Sequence, residues 1–148
     1  MYSFFGFDAA NGRVALPLYF YLKDTTGEYP KKVLIVSCDD WNIRDEVEIH
    51  CPDVIRKEGD MQLLGCVNVL PYGDRLIYNF PASSKVYVYD LSAKKSKEYD
   101  FPSTFADPFF HLPDINGSEP GFGCLKTGYY FPLCYDAYHN VFWRIQQG

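Results

Sequence analysis

Lys32-Val33-Leu34-Ile35-Val36 is an alternating apolar run that begins with a basic residue, and it is the stretch that decides the fold. Two further alternating apolar runs, entered through a basic or a polar residue, follow it: Lys85-Val86-Tyr87-Val88-Tyr89 and Asn140-Val141-Phe142-Trp143-Arg144-Ile145. Their first valines are 53 and then 55 residues apart. This period is longer than one hairpin and suits one four-stranded sheet of a β-propeller, so we interpret the chain as a repeat array.

Other landmarks repeat with the apolar runs, although their spacing varies. A Gly-Cys pair precedes the second and third runs, at Gly65 and at Gly123, which is a shift of 58 residues. A proline ends the strand that follows the first and second runs, at Pro52 and Pro102, which is a shift of 50 residues. Because insertions collect in surface turns, this variation indicates units that differ in loop length.

The sequence predicts an all-β fold of antiparallel four-stranded blades in an incomplete β-propeller-type array of about two and a half to three blades. The blade-like units are roughly 1–57, 58–118 and 119–148. Strands are expected near 3–7, 13–22, 32–37 and 45–51, and then near 63–70, 75–80, 85–90 and 96–101. The third unit has strands near 129–135 and 141–145 and lacks its fourth. A single small β-sandwich or barrel is the alternative for a chain of 148 residues.

The amino-acid composition favours β-strands and limits the classes of partner that the chain is expected to bind. Aromatic residues make up 18% of the chain, and strands favour aromatic side chains. The formal net charge of −5 argues against non-specific nucleic-acid binding, which needs a basic surface. No apolar stretch is long enough for a transmembrane helix. The first twelve residues lack the basic region of a signal peptide and contain Asp8.

Cysteines and histidines give no pattern typical of a metal site or of a nucleophile. The five cysteines form no CxxC pair, and their odd number does not suggest a disulfide framework. We therefore expect no metal and no cofactor. His50, His111 and His139 fall at a strand end, in a Pro-rich connection and in a hairpin turn, respectively. Asp39-Asp40-Trp41 is interpreted as a turn cap, with cation coordination as the alternative.

The strand 141–145 ends close to the last residue and is expected to expose an unpaired edge carrying apolar side chains. Exposed edges of this kind pair with other chains. The sequence therefore predicts self-association through this edge, or an incomplete chain whose blades are completed from elsewhere.

A resemblance to a known family rests on three segments of the chain. They are residues 79–90, Glu119-Pro120-Gly121-Phe122-Gly123, and the Tyr135-Asp136 turn that leads into Val141-Phe142-Trp143-Arg144-Ile145. In these segments the chain resembles the uncharacterised six-bladed propeller-like lipoproteins of Bacteroidetes, over roughly residues 58–145. The resemblance implies a longer parent of several blades, location in the periplasm or at the cell surface, and no assigned activity.

Within this interpretation, Tyr135, Asp136 and Arg144 are the candidate ligand-binding residues. Arg144 offers bidentate recognition of a carboxylate, and Tyr135 or Trp143 offers a ring for stacking on a sugar or planar group. The alternative is structural: Arg144 holds the hairpin through Asp136 or through the backbone, while the aromatic rings pack in the core.

We expect a non-catalytic module that binds an unidentified ligand, carbohydrate among the candidates, or a protein partner. Its rival is part of a propeller enzyme acting on glycans as a hydrolase or lyase, with its site completed by further blades. A close carboxylate pair with one perturbed pKa would distinguish the enzyme.

Overall fold

The computed structural model describes residues 5–19, 31–50, 67–81, 83–102 and 129–147. Every regular element in these ranges is a β-strand, which confirms the all-β prediction. Sheet 1 consists of β1 (Gly6–Asp8), β2 (Arg13–Tyr19), β3 (Lys31–Ser37) and β4 (Ile43–Ile49). Sheet 2 consists of β5 (Asn68–Tyr72), β6 (Arg75–Asn79), β7 (Lys85–Asp90) and β8 (Lys95–Asp100). The last strands are β9 (Tyr129–Tyr130), β10 (Cys134–Asp136), β11 (Val141–Trp143) and β12 (Gln146–Gln147).

Sheets 1 and 2 have the same topology, since each is an antiparallel meander whose four strands lie in sequence order. The first two apolar runs form β3 and β7, the third strand of each sheet. Val33 and Val86 are buried in both. The predicted repeat of antiparallel four-stranded sheets is therefore confirmed for these two copies. The unit boundaries near residues 57 and 118 lie outside the described residues, as do Gly65, Gly123 and His111.

Sheet 2 shows how the sequence sets a tight hairpin. Pro71 and Tyr72 extend β5 beyond the predicted strand end, and the turn itself is Gly73 and Asp74. Gly73 has a φ of 55°, a conformation that glycine adopts without a steric penalty. Pro71 is accommodated because β5 is the first strand of its sheet, and an edge strand does not need every N–H for pairing.

The third apolar run lies in a long hairpin, which we call hairpin 129–147. Near the turn of this hairpin, β10 pairs with β11. At its open end, β9 pairs with β12. The N–H of Phe131 donates to the carbonyl of Ile145 at 3.0 Å, so the ladder continues between the two pairs. The first strand holds one more residue than the second between these pairings, which is the geometry of a β-bulge. The pairing thus extends to Gln147, two residues beyond the predicted strand.

Sheets 1 and 2 pack face to face around one core. Ala15, Val33 and Ile35 of sheet 1 join Leu76 and Tyr78 of sheet 2 in a single buried cluster. Each large apolar side chain buried in this way contributes about 1.5–3 kcal/mol. The approach is closest at β1 and β5, where a Cβ built on Gly6 would lie 2.3 Å from the carbonyl oxygen of Val69.

Hairpin 129–147 packs on the opposite face of sheet 2. Asn68 and Asn79 are register partners on that face, and their amide nitrogens donate to the carbonyls of Tyr130 and Phe131 at 3.3 and 3.4 Å. The N–H of Tyr130 donates to the carbonyl of Pro81 at 2.9 Å. The described chain is therefore three layers, with sheet 2 in the middle.

The contact between sheets 1 and 2 and the contact between sheet 2 and the hairpin have the same strand direction. Gly6 lies against Val69 and Pro71, and further along β1 Asp8 accepts a bond from Gly73. Likewise Asn68 meets Tyr130, and further along β5 Tyr72 meets Tyr135. The first strand of each layer therefore runs in the same direction as the one before it. Among the strands that the structure describes, Val141 therefore occupies the second strand of its layer, a different place from the third-strand positions of Val33 and Val86.

Candidate functional site at the loop end

Five hairpin turns gather at one end of the layers, which we call the loop end: residues 8–13, 37–43, 72–75, 90–95 and 136–141. Within sheet 1, the N–H of Cys38 donates to the carbonyl of Gly12 at 2.8 Å. Within sheet 2, the N–H of Leu91 donates to the carbonyl of Asp74 at 2.9 Å. Between these sheets, the N–H of Gly73 donates to Asp8 at 3.1 Å.

Two of these turns share one local structure that the sequence analysis missed. Asp8 accepts bonds from both the backbone N–H and the amide nitrogen of Asn11, at 3.2 and 2.7 Å. Asp136 accepts bonds from the N–H of His139 and contacts its Nδ1, at 3.2 and 2.6 Å. The following residues, Gly12 and Asn140, have φ values of 56° and 55°. The sequence signal is an aspartate followed four residues later by glycine or asparagine, two residue types that tolerate this conformation.

A third turn keeps part of this pattern with a less suitable residue. Asp90 accepts a bond from the N–H of Ala93 at 2.7 Å, and Lys94 has a φ of 53°. The Lys94 side chain forms an ion pair with Asp45 of sheet 1, so the lysine-rich turn of sheet 2 contacts its neighbouring layer.

An aromatic cluster lies where hairpin 129–147 meets sheet 2 at the loop end. The ring of Tyr72 is 4.5 Å from that of Tyr135 and 5.2 Å from that of Phe142, centroid to centroid, and Tyr135 and Phe142 are 4.9 Å apart. The Tyr135 hydroxyl donates to Asn140 Oδ1 at 2.9 Å. Its interaction with Tyr72 raises the pKa of Tyr135, so the phenol stays neutral at physiological pH. Tyr138, in the adjoining turn, is 91% exposed.

The carboxylate of Asp136 accepts hydrogen bonds within its own turn. Its carboxylate accepts from the backbone N–H groups of Tyr138 and His139 at 2.9 and 3.2 Å. The hydrogen bond with the His139 side chain is the main cause that lowers the pKa of Asp136. The carboxylate is therefore ionised and orients the exposed rings of Tyr138 and His139, which contact edge to face at 4.8 Å.

Arg144 points away from the loop end and binds backbone of sheet 2. Its Nη2 donates to the carbonyls of Ser84 and Phe101 at 3.1 and 3.4 Å. Its guanidinium carbon lies 4.1 Å from the centre of the Tyr130 ring. Burial lowers the pKa of Arg144. The structure thus brings Tyr135 and Asp136 together and gives Arg144 separate surroundings; ligand binding by the three remains a prediction.

The other polar candidates have ordinary structural partners. Asp40 accepts bonds from Asn42 at 3.1 and 2.9 Å and from Arg44 at 2.7 Å, as a turn cap does, and the Asn42 side chain is the main cause that lowers its pKa. His50 is exposed after β4. Among the described residues, no group of three or more His, Cys, Asp and Glu side chains is arranged to hold a metal. Cys38 and Cys134 are free thiols.

Comparison with known proteins gives one family. A sequence model described as a domain of unknown function (DUF4221) matches residues 30–147. Neither the curated proteins nor the solved structures contain a match. In the described ranges, no helix is long and apolar enough to span a membrane.

Proposed function

The chain belongs to the family of domains of unknown function DUF4221, and we propose that it is a β-propeller-type, non-catalytic binding module that holds a carbohydrate ring at its loop end. The observation that carries the proposal is the cluster of Tyr72, Tyr135 and Phe142, with the exposed Tyr138 in the adjoining turn.

The rings of the cluster are held in place by each other and remain partly accessible to a ligand. Tyr72 and Tyr135 are half-buried and hold each other in place, so binding costs little of their rotational freedom. Tyr and Trp rings offer a large apolar face with a polar group at its rim, which suits a ligand that has both apolar and hydroxyl surfaces. Asn140, bonded to Tyr135, and the ionised Asp136 lie in the same turn and supply polar groups beside the rings.

Two carboxyls of the described residues have a charge state that suits hydrogen-bond acceptance. The two carboxyls in the described residues with a resolved shift, Asp40 and Asp136, both have lowered pKa values. Both are therefore ionised and suit hydrogen-bond acceptance.

Further parts of the proposal concern the parent protein. The two stacked four-stranded sheets and the third layer are consistent with successive propeller blades, which supports this part of the proposal. With the resemblance to propeller-like lipoproteins of Bacteroidetes, this arrangement supports a module that works in the periplasm or at the cell surface.

The test uses Trp143 as a fluorescent reporter. In a Trp41→Phe background, Trp143 is the only tryptophan and is adjacent to Phe142 of the cluster. We expect neutral oligosaccharides, titrated as a panel, to change its fluorescence and to release heat in calorimetry. Tyr135→Ala should weaken binding by up to roughly tenfold, because a stacked ring contributes about 0.5–1.5 kcal/mol.

The matched control is Tyr99→Ala. Tyr99 is also exposed and also stacked on a neighbour, Phe101, but it lies on β8. Equal loss of binding in both variants, or no binding of any oligosaccharide by the folded chain, would contradict the proposal.

A further inference from the structure

Turn 136–141 of the hairpin has the same backbone structure as turn 8–13 of sheet 1. Each begins with an aspartate that pairs with the residue five positions later. The aspartate Oδ1 accepts the N–H of the third following residue at 3.2 Å in both turns. The fourth following residue has a φ of 56° in turn 8–13 and of 55° in turn 136–141. The two turns therefore match position by position.

The third following residue is Asn11 in one turn and His139 in the other, and both bond the aspartate through a side-chain nitrogen. These bonds to Oδ2 are 2.7 and 2.6 Å long. Because this bond lowers the pKa of Asp136, the carboxylate is ionised and can only accept, so Nδ1 of His139 is the donor. In the neutral ring, Nε2 is then an acceptor. The His139 side chain is 66% exposed, and an asparagine serves the turn equally well, so this second nitrogen is available to a ligand.

The preceding residue is an alanine in turn 8–13 and a tyrosine in turn 136–141. Ala10 and Tyr138 each follow an alanine and are exposed. Since alanine builds the same turn, the turn itself does not need the ring of Tyr138, which is 91% exposed. The ring is nevertheless oriented, because it contacts the His139 ring edge to face at 4.8 Å. An exposed and oriented ring suits stacking on a flat apolar surface.

Asn140 joins turn 136–141 to the aromatic cluster. Its Oδ1 accepts the hydroxyl of Tyr135 at 2.9 Å. The matching residues of sheet 1 are Gly12 and Phe7, which have no side-chain groups for such a bond. This link therefore has no counterpart in sheet 1, and it fixes the hairpin turn to the cluster.

We propose that Tyr138 and His139 are the specificity-determining residues of the loop-end carbohydrate site, an inference that rests on the function proposed above. Tyr138 stacks on the apolar face of a neutral pyranose ring, and Nε2 of His139 accepts a hydroxyl at the edge of that face. Asp136 is a positioning residue, since it holds His139 and, through it, the ring of Tyr138. Sugars that differ in the hydroxyls beside this face are therefore bound with different affinities.

The test is calorimetric titration of the whole chain with three neutral oligosaccharides, cellohexaose, maltohexaose and chitohexaose. Tyr138→Ala should weaken the tightest binding by about twofold to tenfold, which is the effect of one aromatic contact. His139→Asn keeps a side-chain bond to the aspartate, as Asn11 does in turn 8–13. It should reduce the ratio between the tightest and the weakest affinity by about threefold, which is the effect of one hydrogen bond. Ala10→Tyr is the matched control, since it places a ring on the same turn without the link to the cluster, and its affinities should equal those of the wild type.

Urea unfolding separates a binding role from a structural one. Both variants should keep the wild-type midpoint, because alanine and asparagine build turn 8–13. A lower midpoint would show that another part of the protein packs on these rings, and it would overturn the inference. Unchanged affinities and ratios in Tyr138→Ala and His139→Asn would also overturn it, while a loss of affinity in Tyr135→Ala would leave the proposed function intact. A wild-type chain that binds none of the three sugars would contradict the proposed function and this inference together.

Discussion

Replacing Gly6 with alanine tests the contact between sheets 1 and 2 at its tightest point. The added Cβ would lie 2.3 Å from the carbonyl oxygen of Val69 and 2.4 Å from Cδ of Pro71, whereas real Cβ contacts under 3.0 Å essentially never occur. The atoms it meets belong to main chain and to a proline ring, which cannot rotate away. Strand β1 would have to move by about 1 Å, and overpacking of this kind costs up to about 3 kcal/mol.

Urea unfolding followed by circular dichroism measures this cost. A loss of about 3 kcal/mol corresponds to a Tm lower by roughly 6–12 °C in a domain of this size. Gly73→Asn is the control, since Gly73 has open space around it and a φ of 55° that asparagine tolerates. We expect the control to remain within about 0.5 kcal/mol of the wild type. A Gly6→Ala variant as stable as the control would refute the close approach of β1 and β5.

Three further predictions concern single side chains. Tyr78→Phe should cost about 1–2 kcal/mol in urea unfolding, because its buried hydroxyl interacts with the Ser96 side chain and with the backbone of His50, which follows β4; an unchanged midpoint would contradict these interactions. Arg144→Met should cost about 2 kcal/mol and Arg144→Lys less, since both bonds come from the single nitrogen Nη2 and a lysine ammonium can replace part of this donation; equal losses would contradict the geometry. The carboxyl of Asp136 should titrate by NMR below its ordinary value of about 3.9, so its contribution to stability is present above that pH and is lost as the pH falls through its lowered pKa. A midpoint at or above the ordinary value would argue against its bond with His139.

The sequence predicted the parts of the fold that depend on alternation and turn chemistry. Val33 and Val86 mark strands because period-two apolar runs bury one face of a sheet. Gly73 marks a hairpin because the turn needs a positive φ. Both signals are local, so they can be read without knowing which layers meet.

The strand position of the third apolar run depends on contacts between layers, which the spacing of the runs in the sequence does not show. Val141 has the same local pattern as Val33, yet it follows a turn built by Asp136 and Asn140, and it lies in the second strand of its layer. The repeated aspartate turn at Asp8 was visible in the sequence and would have given the correct alignment.

The candidate site was predicted in part for the same reason. Tyr135 and Asp136 are adjacent in the chain and come together at the loop end. Tyr72, the main partner of the Tyr135 ring, is 63 residues away in sequence and carries no motif of its own. Arg144 was placed with them because it shares their hairpin, but the side chain faces Ser84 and Phe101 across the layer contact.

The most direct test of the layered arrangement is a NOESY spectrum of the labelled chain. The structure requires cross-peaks between the Hα protons of Gly6 and the Hδ protons of Pro71, and between the rings of Tyr72 and Tyr135. Both sets should appear together, because one places sheet 1 on sheet 2 and the other places the hairpin on the opposite face. Cross-peaks from Phe7 to Pro71 in place of those from Gly6 would show a register shifted by one residue and would contradict the account.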